Sequence, residues 1–151
     1  MKKNNFVIGL SIVIGATLFS QANAAEIKVK MLNSGEKGAV MVFEPAYIKA
    51  NVGDTIKFEP TQVGGHNAKS MVIPKGAAEF NSKADTAFSY KVEKEGVYLY
   101  MCEPHKAMGM VGVIQVGKAT NLADVKKVAD EEGAKLAMNK DAYKNILAKV
   151  K

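Results

Sequence analysis

From Glu26 to Val116 the chain is a series of short apolar segments cut by turn residues, and no stretch there is patterned for a long helix. Ile27, Val29 and Met31 alternate with Glu26, Lys28 and Lys30, the period-two signature of a half-buried strand. Asn33-Ser34-Gly35 reads as a turn, then an apolar run covers residues 39–43. Pro45 interrupts, and residues 47–50 resume an extended segment before the turn Asn51-Val52-Gly53-Asp54. Residues 55–59 alternate again, with Ile56 and Phe58 inward. After Gly64-Gly65 a short strand is expected over 70–73, ending at Pro74. Residues 75–86 are polar and irregular, with room for one helical turn. Residues 88–92, 97–102 and 110–116 complete the series. Many short strands at regular spacing predict an antiparallel sandwich or barrel.

The tail is different. Asn121 is placed to cap a helix through Leu122, Val125, Val128 and Ala129, and Gly133 to stop it. Asn139 is placed to cap a second helix carrying Tyr143, Ile146, Leu147 and Val150. Each helix has one apolar stripe, so both are expected to lie on the sandwich. The expected division is one domain over 25–151, with the β-sandwich at 25–118 and the helical extension at 119–151.

The first 24 residues read as a signal peptide. Lys2 and Lys3 precede a mostly apolar run from 6 to 19, and Ala22-Asn23-Ala24 is an A-x-A cleavage site. The run is short for a spanning helix. Cleavage after Ala24 leaves 127 residues with 19 Lys against 15 acids, a net charge of +4, too weak a balance to argue for nucleic acid. All 21 basic residues of the full chain are Lys. Lys is a compact, hydrated point charge, suited to loose, salt-sensitive docking on an acidic partner and not to the bidentate base reading that Arg performs. No nucleic acid and no membrane insertion after cleavage are therefore expected.

Export makes the single Cys informative. A lone exposed thiol in an oxidising compartment invites oxidation, so Cys102 must be buried or bound. It opens Cys102-Glu-Pro-His105-Lys-Ala-Met108-Gly-Met110, a loop between two predicted strands. The other His of the chain, His66, lies 36 residues before Cys102, beside Gly64-Gly65. One site can therefore use every Cys and His present. A thiolate, two imidazoles and a distant thioether form the ligand set of an electron-transfer copper centre. The thiolate is soft and serves both oxidation states, neutral imidazoles accept either, and a weak axial Met favours Cu(I). Zinc would want a fourth strong ligand or a water position. A Cys–His nucleophile lacks a third residue to orient the base. Met110 opens the next predicted strand, which anchors it; Met108, mid-loop, would need a tighter turn and stays open on spacing alone.

The loop from Cys102 to Met110 resembles the ligand loop of the cupredoxins, the small blue copper proteins. Met31-Leu32-Asn33, the run from Val42 to Asn51, Gly65-His66-Asn67 and Ala107-Met108-Gly109-Met110 are together similar to the pseudoazurin branch of that family, and the two C-terminal helices fit that branch. The resemblance implies an all-β, eight-stranded Greek-key sandwich with two C-terminal helices. It implies one copper on His66, Cys102, His105 and Met110, with Met110 axial. It further implies an Asn67 backbone N–H donating to the thiolate, and Met41 close to a copper-bound imidazole.

The implied function is one-electron shuttling in the periplasm, without enzymatic activity. The implied partners are acidic-surfaced redox proteins: copper nitrite reductase, with nitrous oxide reductase or a c-type cytochrome beside it. Docking is implied through an apolar patch of Pro104, Ala107, Met108 and Gly109 around His105, ringed by Lys37, Lys69, Lys75 and Lys106. Met101 stands where the family usually has Lys, and Glu103 follows the Cys; both weaken the local positive field. A monomer is expected. The alternative function is a copper carrier that hands over metal instead of electrons.

Overall fold

A computed structural model describes residues 24–151; the expected signal peptide lies, but for Ala24, outside the described residues. Among the described residues eight strands form two four-stranded sheets. One has the order β2-β1-β4-β6, built from β1 (Glu26–Ser34), β2 (Val40–Glu44), β4 (Thr55–Pro60) and β6 (Phe88–Lys91). The other has the order β3-β8-β7-β5, built from β3 (Tyr47–Ala50), β5 (Lys69–Val72), β7 (Gly96–Met101) and β8 (Val111–Val116). The chain crosses repeatedly between sheets, so the sandwich is a Greek key and not a meander. Two pairings are parallel, β1 with β4 and β3 with β8; the others are antiparallel. Alternation alone shows that a segment is a strand but carries no sign of its partner's direction.

Helices α1 (Leu122–Gly133) and α2 (Ala142–Leu147) follow. They cover the outer face of the second sheet, where Val125, Ala129, Tyr143 and Ile146 pack on Val97, Leu99, Met101, Val111 and Val113. β7 and β8 are consequently buried on both faces, all six residues of each. This explains why residues 97–101 show no polar–apolar alternation and why Gln115, the one polar side chain in 111–116, is itself buried. The phase of β7 then fixes the site. Val97, Leu99 and Met101 face the helices, while Tyr98 and Tyr100 face the inner core, and Cys102 continues the inward set.

The inner core is largely aromatic. Phe43, Phe58, Phe80 and Tyr100 meet at ring separations of 4.8–6.2 Å, mostly edge-on or tilted. Tyr100 fits because its cross-strand neighbour is Gly112, where a Cβ would lie 2.1 Å from the ring.

Three sequence expectations are corrected. Residues 75–86 contain turns and one isolated bridge, Lys69 with Asn81, and no helical turn. Asn121 does sit at the N-cap of α1, yet its side chain makes no cap bond. It accepts from Val97 N (2.7 Å) and donates to Val97 O (2.9 Å), fastening α1 to β7. Asn139 does not cap α2; Asp141 holds that position, and Asn139 turns its amide to the Cys102–Met110 loop instead.

Candidate metal centre

The site lies at one end of the sandwich, where the segment before β5 meets the loop joining β7 to β8. That loop is closed at its neck by Cys102 N donating to Met110 O at 2.9 Å. A single 3₁₀ turn, Lys106–Met108, shapes its tip. His66, Cys102 and Met110 are all fully buried, and His105 is half-buried.

The structure brings the predicted Cys and His residues together. Their donor atoms lie within 4.8 Å of one another. Cys102 Sγ is 3.3 Å from His105 Nδ1 and 3.9 Å from His66 Nδ1. The two imidazoles sit 4.9 Å apart at an interplanar angle of 56°. Bonds of about 2.0–2.3 Å to nitrogen and sulfur separate two ligands of one ion by roughly 3.5 Å at tetrahedral angles, and the sulfur–nitrogen distances of 3.3 and 3.9 Å lie close to that. Met110 is joined to the two loop members of the set through the backbone, by its O to Cys102 N and its N to His105 O (3.3 Å). A soft thiolate with two imidazoles and a buried thioether nearby matches copper better than zinc.

The two histidines are held differently. His66 Nε2 lies 2.8 Å from Asn33 Oδ1. Asn33 Nδ2 donates to Val63 O at 3.0 Å, which settles the amide's orientation. Oδ1 can only accept, so Nε2 carries the proton and Nδ1 is left with a free lone pair facing the sulfur. Gly64 makes room for this contact: a Cβ there would sit 2.1 Å from Asn33 Oδ1 and 2.8 Å from His66 Nε2. Gly65 supplies the left-handed backbone (φ +76°) that the same turn needs.

Asp85 holds the turn from outside. Its carboxylate accepts from Gly65 N (2.8 Å), His66 N (3.0 Å) and Gly64 N (3.3 Å), and its own N–H donates to His66 O (2.8 Å). These N–H groups, that of Gly65 first, hold the carboxyl below the ordinary Asp value.

Asn67 connects the two ligand-bearing segments. Its backbone N–H points at Cys102 Sγ (3.5 Å), as the resemblance implies, and its Oδ1 accepts from Glu103 N (2.7 Å). In the metal-free chain burial pushes the Cys102 thiol up, opposed by the Asn67 contact. Burial pushes His66 down, helped by the neighbouring His105. Both shifts follow first from burial, which disfavours the charged form of either group.

Around His105, Pro104 and Ala107 are exposed and Met108 is half-buried, but Gly109 is buried and leaves the expected surface patch. Among the expected lysines, Lys37 and Lys75 are exposed. Lys69 pairs with Glu103, and Lys106 with Glu132 at 2.6 Å. Sequence reasoning had no access to Asn33 and Asp85 as supports. Asp85 lies in the irregular segment, where no periodicity marks it.

Residues 29–117 match the model of the copper-binding plastocyanin/azurin family. The chain is similar to pseudoazurin of Paracoccus pantotrophus, 44% identical over 108 residues, which cover 70% of this chain and 73% of the relative. It is equally similar to that of Methylorubrum extorquens, 44% identical over 122 residues, covering 79% and 80%. The crystal structure of native pseudoazurin from Hyphomicrobium denitrificans superimposes with a TM-score of 0.74 at 37% identity, over 83% of this chain and 98% of that one. The chain therefore belongs to the plastocyanin/azurin family of copper-binding proteins, in its pseudoazurin branch, and is an electron carrier, not an enzyme.

Proposed function

We propose that His66, Cys102, His105 and Met110 hold one copper, and that the protein carries single electrons in the periplasm to a copper nitrite reductase or a related acidic-surfaced redox enzyme. The observation that carries the reading is the set of three donors within 4.8 Å, on fully buried His66 and Cys102 and half-buried His105. When bound, copper supplies a Cu(I)/Cu(II) couple.

The chain's own part is positional. Cys102 continues a strand buried on both faces, His66 is pinned by Asn33 and Asp85, and Asn67 bridges the two ligand-bearing segments. Donors that hardly move between oxidation states keep the barrier to electron transfer low. The core excludes water from the sulfur side. His105 offers its ring edge to the partner, with Pro104, Ala107 and Met108 as apolar rim. Weak, fast docking suits a small interface steered by Lys37 and Lys75.

The export reading rests on residues 1–24, and predicts a mature domain beginning at Ala25 that works as a monomer. The mass of the exported protein checks the cleavage. The function is tested by mixing the Cu(I) protein with a copper nitrite reductase and nitrite. Re-oxidation should be fast and should slow as ionic strength rises. Re-oxidation no faster than in buffer would remove the nitrite reductase reading, and a rate indifferent to salt would remove the steering.

A further inference from the structure

The Cys102–Met110 loop is not supported by the sandwich alone. Its tip is the 3₁₀ turn Lys106–Met108, and a turn this short leaves its last carbonyls without partners inside the helix. They are met by the connection between α1 and α2. Ala137 N donates to Ala107 O at 2.8 Å, and Met138 N reaches the same oxygen at 3.3 Å. Asn139 Nδ2 donates to Met108 O at 2.7 Å and reaches Val40 O at 3.4 Å. Asn139 adopts a left-handed backbone (φ +46°), a conformation Asn tolerates better than other side-chain-bearing residues. The next loop residue, Gly109, lies so close to the tail that a Cβ there would be 2.9 Å from Asn139 Cβ and 3.3 Å from Ala142 Cβ. The Lys106–Glu132 ion pair adds a contact from α1. A segment distant in sequence thus closes on Ala107, Met108 and Gly109, the three residues between His105's neighbour and Met110.

We infer that the tail braces the copper-binding loop, and that Asn139 is a positioning residue: through Met108 O and Gly109 it fixes where His105 and Met110 stand. This inference rests on the ligand assignment above. The tail is then part of the metal site's tuning as well as a cover for the second sheet. Asn139 touches no ligand itself. Its effect travels through the loop backbone, where Gly109 N bonds Lys106 O (3.0 Å) and Met110 N bonds His105 O.

Two variants test it. Asn139→Asp keeps the shape and removes the donor; Asn139→Gly accepts the positive φ and removes the donor. Amide hydrogen exchange should be read in the metal-free and Cu(I)-loaded forms. Loss of one hydrogen bond, worth about 1 kcal/mol, predicts roughly fivefold faster exchange at Gly109 and Met110. Leu99 and Ile114, in β7 and β8, should exchange as in the parent. In the Cu(II)-loaded form, the relative intensities of the visible charge-transfer bands and the reduction potential should both shift. Unchanged loop exchange in both variants would overturn the brace. Faster exchange with unaltered bands and potential would overturn the positioning role, leaving the tail as a stabiliser only. A parent protein that stays colourless with Cu(II) would sink the ligand assignment instead, and exchange in the metal-free chain would still decide the brace.

Discussion

His66 and His105 turn the same ring nitrogen toward the same sulfur, yet the fold treats them in opposite ways. His66 is fully buried, its far nitrogen bonded to Asn33 and its backbone cradled by Asp85. His105 is half-buried, and on its loop Pro104 and Ala107 are exposed and Met108 is half-buried. One imidazole is fixed from behind; the other is held through its loop, which the tail braces at Ala107 and Met108. A carrier needs both properties at once. The fold supplies them by placing one ligand inside the sandwich wall and the other on a loop at its end.

The sharpest way to break this contrast is to delete each ring. In His105→Gly with Cu(II), the vacated position opens to solvent, and added imidazole should restore the thiolate charge-transfer band. In His66→Gly the gap is sealed behind Asn33 and the core, and imidazole should not restore it. Equal rescue, or none in either, would contradict the assignment of inside and outside.

The next effects concern the supports of His66. Asn33→Ala removes the acceptor that holds its tautomer. Loss of such a partner typically costs about 10–100-fold in metal affinity, measurable by competition with a chelator. An affinity equal to the parent's would mean that Asn33 does not orient the ring.

Asp85→Asn should lower the denaturant midpoint at neutral pH, because an amide oxygen replaces a carboxylate accepting three N–H groups. The pH dependence has a definite sign. Asp85 is held below its ordinary value of 3.8 in the folded chain, so the unfolded chain takes up its proton first. Its contribution is whole above the unfolded value and is lost as pH falls through it toward the folded one. The gap between parent and variant should therefore narrow on acidification. A gap that widened in acid would contradict the cradle.

Much of the site was legible because the chain spends its Cys and His so sparingly. One Cys and two His allow a single mixed site, and the C-x₂-H-x₄-M spacing put most of it on one loop. The strands were legible wherever one face is wet, as at Lys28 and Lys30 in β1. β7 and β8 show no such alternation, since both faces are dry.

What stayed hidden is what depends on contact across sequence distance. Asp85 and Asn33 are ordinary loop and strand-end residues until the fold brings them to His66. Asn121 and Asn139 look like helix caps, because Asn has the same short amide whether it bonds its own helix or another segment. The fold sent both amides outward, to β7 and to the metal loop.

The smallest effects belong to the rim of His105. Lys69 and Lys106 are already paired with Glu103 and Glu132, so replacing either by Ala should change the low-salt association rate with an acidic partner by less than replacing exposed Lys37 or Lys75. Single rim charges of this kind are worth at most about 1 kcal/mol. The reverse ranking would mean that these pairs open on docking.

The visible absorption spectrum of the mature protein after stoichiometric Cu(II) tests the central claim most directly. An intense blue band, absent from Cys102→Ser, is predicted, because it requires a thiolate–Cu(II) bond at Cys102. A pale solution from folded protein whose Cys102 still reacts with a thiol reagent would contradict the copper centre.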